Sequence, residues 1–234
     1  MCIIVYKPKG KKMPDKKQLK ACWDNNPDGA GYMYPSGKQV IIKKGFMNFE
    51  EFHRNLMYDY IRYSKETDFV LHFRISTQGG VNKQCCHPFP LSKDMNMLKC
   101  TRVKSPIGIA HNGIIDLTTE YYGSMKNTVT YSDTMKFITD YLTLIIKDKY
   151  FYYDDDTLEL IERLADSKLA IMDDTGHTTL IGDFIEDDGI YYSNEYYKTK
   201  RQRRTVTVYT TTEKKEDKKE ISYNYYPNIK KTEE

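Results

Sequence analysis

Cys2-Ile3-Ile4-Val5-Tyr6-Lys7 opens the chain with a β-branched run that reads as a strand, and the fold is decided by what answers it at the far end. There, residues 169–172, 178–181 and 189–192 alternate with Asp173-Asp174-Thr175-Gly176 and Asp187-Asp188-Gly189, a pattern that predicts a β-meander. Between these ends lie helical stretches. Residues 15–25 read as a helix that stops ahead of Pro27. Asn48 caps a second over residues 49–63, with Glu51 three positions on as in a capping box. Ser132 or Asp133 starts a third, in which Met135, Phe137, Ile138, Tyr141, Leu142 and Ile145 form an i, i+3, i+4 stripe. Residues 158–165 read as a fourth. A hairpin is expected over 31–34 and 39–43, around Pro35-Ser36-Gly37-Lys38. Residues 69–75 and 107–110 read as buried strands, each running directly into polar and glycine residues. Strands early and late with helices between them argue an α+β fold.

Composition sets the outer limits. The 234 residues are 39% hydrophobic and 29% charged, with a mean hydropathy of -0.70, which suits a water-soluble chain with one core. No apolar run approaches the roughly 18 to 20 residues that span a bilayer, so no membrane partner is expected. The amino terminus has no basic segment ahead of its apolar run and no small-residue cleavage site behind it, so a cytoplasmic location is expected. Five cysteines, at 2, 22, 85, 86 and 100, form no disulfide framework and suit a reducing compartment.

The net charge of +3 is unevenly spread: residues 198–234 hold eleven Lys or Arg against six Asp or Glu, leaving 25 minus 27, or -2, for residues 1–197. The expected organisation is a domain over 1–197 and a basic, low-complexity, disordered tail over 198–234. The Arg-rich start of the tail could touch nucleic acid. Acidic residues follow at once without a binding motif, so a solvated tail is the reading taken. No internal repeat is present.

A cysteine directly after Met1 carries chemical interest. Removing Met1 would place a thiol and a free α-amine on one residue, a nucleophile carrying its own base. The α-amine ordinarily titrates near 7.7–8.0 and the thiol near 8.5, so the amine can take the thiol proton at neutral pH. Position alone also fits a small buried residue starting a strand.

Further segments bear on that choice. His72-Phe73-Arg74-Ile75-Ser76-Thr77-Gln78-Gly79 ends one strand, His87-Pro88-Phe89-Pro90 follows, His111-Asn112-Gly113-Ile114-Ile115 ends another strand, and Tyr131-Ser132-Asp133-Thr134 begins a helix. In this order they resemble the class II glutamine amidotransferases, a group of N-terminal-nucleophile (Ntn) hydrolases. Members show an N-terminal Cys, H-x-R-x-x-T, a downstream H-P, H-N-G and S-D-T. The resemblance runs over about residues 2–197. It includes Asn26-Pro27-Asp28-Gly29-Ala30-Gly31, which looks like the family's R-G-P-D-G-x-G, and the late Gly-Ile-Tyr-Tyr-Ser-Asn.

The resemblance implies a four-layer αββα sandwich and glutamine as the substrate. Cys2 would be the nucleophile. Arg74 would hold the glutamine α-carboxylate, work suited to a planar two-point fork. Asp133 would pair with the α-ammonium, although an Asp there also suits a helix cap. Asn112 and Gly113 would form the oxyanion hole, and Thr77 and His87 would line the pocket. Ile75 and Gln78 depart from the Trp and His of several members, and Asn25 or Asn26 stands where the family has Arg, which alters the outer wall of the pocket.

No cofactor is implied. The spacing of Cys85-Cys86-His87 matches no common zinc pattern, so no metal is expected. The ammonia would pass to a synthase on a separate chain. The alternatives are a free-standing Ntn amidohydrolase acting on another γ-glutamyl or small amide, and a non-catalytic binding scaffold.

Overall fold

The computed structural model describes residues 2–63, 65–76, 80–116 and 131–199, together with short strands at 205–206 and 223–224. The chain divides into two compact units, residues 1–197 and 198–234. In the second, Thr205–Val206 pairs antiparallel with Tyr223–Asn224.

The first unit is mixed α+β with two antiparallel sheets. Its strands are β1 (Ile3–Lys7), β2 (Ala30–Ser36), β3 (Gln39–Phe46), β4 (Phe69–Phe73), β5 (Phe89–Pro90), β6 (Arg102–Ser105), β7 (Ile107–Asn112), β8 (Lys168–Asp173), β9 (Thr178–Ile181), β10 (Ile185–Asp187) and β11 (Ile190–Tyr192). Its helices are α1 (Lys16–Asn25), α2 (Phe49–Tyr63), α3 (Met95–Lys99), α4 (Asp133–Phe137), α5 (Thr143–Ile145) and α6 (Asp155–Ala165). Seven strands pair in the order β10-β11-β1-β4-β2-β3-β6 and four in the order β5-β7-β8-β9.

Three apolar clusters show how the elements stack. Successive residues of a strand face opposite sides of a sheet, and β1 obeys this: Ile3 and Val5 join one cluster, Ile4 another. The first cluster packs Leu19, Cys22 and Trp23 of α1 and Phe52 and Leu56 of α2 onto Tyr32, Leu71 and Phe73. Ile4, Met33, Ile42 and Val70 of the larger sheet meet Ala110, Ala170 and Met172 of the smaller one in the second. The third packs the other face of the smaller sheet, through Ile109, Leu169 and Ile171, against Met135, Phe137, Ile138, Leu142 and Ile161.

Local sequence explains most boundaries. Asp15 begins α1 with a reciprocal capping box: its carboxylate accepts from Gln18 N at 2.7 Å while Gln18 Oε1 accepts from Asp15 N at 3.3 Å. Asn48 Oδ1 accepts from the N–H groups of Glu50 and Glu51 at the start of α2.

Two expectations need correcting. The meander is divided, since β8 and β9 belong to the smaller sheet while β10 and β11 extend the larger one beside β1. Alternation predicts strands but carries no information on which sheet each joins. The third helix is also not uniform, because a π-helical turn, Ile138–Leu142, separates α4 from α5. Met135, Phe137, Ile138 and Leu142 of the stripe stay buried all the same.

Candidate active site

Strand pairing brings the first candidate residues together. Ile3 lies opposite Phe73 in the β1–β4 register, so Cys2 and Arg74 lie next to each other just past the paired ends. The half-buried Cys2 Sγ lies 3.4 Å from Ile75 N, which donates to it, and 3.5 Å from Ile75 O. Burial pushes the thiol pKa up, against the opposing pull of the Ile75 N–H and the Arg74 charge. The resting thiol is therefore protonated and needs a base to become a nucleophile.

Arg74 continues the ladder beyond β4: its N–H donates to Gly29 O at 2.8 Å and its carbonyl accepts from Asp28 N at 2.9 Å. Gly29 has φ +124°, and a Cβ there would stand 2.5 Å from Cys86 Sγ, so this position requires glycine. The Arg74 side chain is 3% exposed and donates through Nη1 to Gly80 O at 2.7 Å.

On the facing side, β7 ends in His111-Asn112 and α4 begins at Asp133, capped by Ser132 Oγ accepting from Met135 N. The Asp133 carboxylate accepts from Ile115 N at 3.0 Å and from Thr134 N at 2.8 Å. Cys2, Arg74, His87, Gly113, Asp133 and Thr134 line one small, half-open cleft. It presents a thiol, a guanidinium, a carboxylate and a strand-end glycine to the same space.

Behind the cleft, hydrogen bonds fix the state of the histidines. Ser167 gives its only proton to Ala165 O at 2.7 Å, so at 2.8 Å it accepts from His111 Nε2–H. His111 Nδ1 is then the acceptor for the Thr134 hydroxyl at 2.8 Å, and Thr134 Oγ1 accepts from His87 Nε2–H at 3.2 Å. His72 Nε2 donates to His111 O at 2.9 Å, and its ring lies 4.3 Å from that of His87. Burial is the main reason all three titrate low, with His72 at about 3, His111 at about 4 and His87 well below its usual value. At neutral pH they are an uncharged wall.

The other sequence-derived residues are placed differently. Asn112 is buried beside Gly113, but its Nδ2 donates to Ser193 Oγ at 2.9 Å and its Oδ1 is without a partner. Thr77 and Gln78 lie outside the described residues, while Ile75 lines the cleft. Among the described residues, no group of three or more His, Cys, Asp or Glu side chains is placed to hold a metal ion. No helix among them is long and apolar enough to cross a membrane.

Sequence reading gave no role to His72, His111, Ser193 and Asn194, although each falls within a quoted motif, and did not single out Ser167. His72 and His111 left a signal, a polar residue inside an apolar strand. Ser167, Ser193 and Asn194 sit in turns where Ser and Asn are ordinary. No known protein-family profile matches the chain, and no curated protein sequence matches it significantly.

Proposed function

We propose that this chain hydrolyses the side-chain amide of glutamine with Cys2 as an N-terminal nucleophile, in the manner of the class II glutamine amidotransferases. The observation that carries the reading is the cleft: residues drawn from four distant stretches of sequence, Cys2, Arg74, Gly113 and Asp133, line one space. A guanidinium and a carboxylate lining one cleft suit the two charged groups of a free amino acid, and so favour glutamine over an amide lacking them. The order of helices, sheet, sheet and helices seen in the apolar clusters supports a four-layer sandwich of the Ntn type.

In the proposed reaction, removal of Met1 frees the Cys2 α-amine, which takes the thiol proton as Sγ attacks the amide carbonyl. The carbonyl oxygen becomes an oxyanion facing the Gly113 N–H and the second hydrogen of Asn112 Nδ2. The carbon–nitrogen bond then breaks, the amine returns its proton to the leaving ammonia, and water hydrolyses the γ-glutamyl thioester to glutamate and free thiol. Arg74 and Asp133 position the amide by holding the amino-acid end. The ammonia goes to a synthase on a separate chain.

The test is N-terminal sequencing and labelling of active protein. Active enzyme should begin at Cys2, release ammonia from glutamine, and be labelled on Cys2 by a glutamine-like diazo-ketone. Activity in protein that retains Met1, or a label on Cys100, the exposed thiol, would overturn the mechanism.

A further inference from the structure

The turn after β11 holds three pieces of the site at once. Ser193 is fully buried, and its Oγ accepts from Ile4 N at 2.8 Å and from Asn112 Nδ2 at 2.9 Å. Its own N–H donates to Ile4 O at 3.0 Å, and its carbonyl accepts from Lys168 Nζ at 2.8 Å. Next to it, Asn194 Nδ2 donates to the Cys2 carbonyl at 2.7 Å. Ile4 belongs to β1, at the interior of the seven-stranded sheet, and Cys2 directly precedes that strand, whereas Asn112 ends a strand of the other sheet.

We propose that Ser193-Asn194 is a positioning clasp that sets the distance and angle between the Cys2 nucleophile and the Asn112 amide. This rests on the glutaminase reading. The two sheets are joined by apolar contacts and by the His72 Nε2 to His111 O hydrogen bond, neither of which touches Cys2 or the Asn112 amide, and a 1 Å misplacement there costs about a hundredfold in rate. A hydroxyl that accepts from both sides removes that freedom. It occupies one hydrogen of the Asn112 amide nitrogen and leaves the other for the oxyanion. Neither Ser193 nor Asn194 lines the cleft with Arg74 and Asp133, so the clasp acts on turnover and not on binding.

A double-mutant cycle tests this. Ser193→Ala should lower kcat about tenfold or more with KM within twofold, and Asn112→Ala about a hundredfold. Because Ser193 acts through Asn112, the double variant should fall no further than Asn112→Ala alone, whereas independent structural roles would multiply. Asn194→Ala, at a half-buried position, provides a second reading if Ser193→Ala does not fold: kcat should fall while glutamine affinity, measured on the Cys2→Ala background, is kept. A Ser193→Ala or Asn194→Ala enzyme with unchanged kcat, or a double variant equal to the product of the singles, overturns the clasp. Those results come from a wild type that is active on glutamine. A wild type without glutaminase activity or Cys2 labelling instead removes the glutaminase reading beneath it.

Discussion

Gly113→Ala is the sharpest test of the proposed oxyanion hole, because the structure sets the size of the expected effect. A Cβ at 113 would stand 2.4 Å from Ser167 Cβ and 3.2 Å from His111 Nε2. Carbon atoms rest about 3.5–4.0 Å apart, so the strand end must shift by roughly 1 Å, and Ser167 has no longer side chain to swing aside. The Gly113 N–H moves with it. Removing one oxyanion donor lowers kcat by about 10²–10³-fold, and a shift of this size belongs near the lower figure. Arg74 and Asp133 are untouched, so KM for glutamine should change little. Overpacking costs about 1–3 kcal/mol, which for a domain of this size lowers Tm by roughly 2–12 °C. Steady-state ammonia release and calorimetry on one preparation give both numbers. An enzyme with kcat within threefold of wild type and a lowered Tm would show that the backbone moved without consequence, and Gly113 would not be the donor.

Other perturbations separate the remaining roles. Cys2→Ala should abolish ammonia release while glutamine still binds by calorimetric titration; loss of binding would place the thiol in recognition. Arg74→Lys keeps the charge but loses the fork, so KM should rise about tenfold or more, equal to one charge-assisted hydrogen bond of about 1.5–3 kcal/mol; an unchanged KM would mean that the substrate has no carboxylate there. Acid should weaken the fold through the histidines. His72 and His111 titrate at about 3 and about 4 in the folded chain and near 6.5 when unfolded. Between about pH 6.5 and 4 the unfolded chain therefore binds more protons, and stability falls as pH falls by up to about 1.4 kcal/mol per pH unit for each histidine. His72→Gln, which keeps a donor toward His111 O, should flatten that slope in urea unfolding from pH 7 to pH 5; an identical slope would show that His72 is not held neutral.

The legible parts of the fold were those written in local chemistry. The Asp15 cap, the halt before Pro27, the Asn48 cap and the hairpin at Gly37 depend on neighbours within a few residues. The short strands β5, β6 and β10 went unseen, since two to four residues carry too little pattern for a periodicity. So did the division of the late strands between two sheets, a decision made by packing. In the site, Cys2, Arg74, Asp133 and Gly113 were named through the ordered motifs of the family resemblance, and their places at strand ends and a helix start are what bring them to one cleft. Asn112 was read as an oxyanion donor, but its hydrogen bond to Ser193, 81 residues away, follows from no local rule.

The antiparallel pairing of β1 with β11 also orders events in time. Once made, β1 gains β4 as a neighbour about seventy residues later, and waits for β11 and the Ser193-Asn194 turn before its other edge is closed. At about 5–20 residues per second, those last partners leave the ribosome some 10–40 s after Cys2. During that interval one edge of β1 is open, and the removal of Met1 proposed above would act on an accessible strand. The same delay keeps the proposed site incomplete until nearly all of the first unit exists, so a chain broken off early carries Cys2 without the Asn194 amide that bonds its carbonyl.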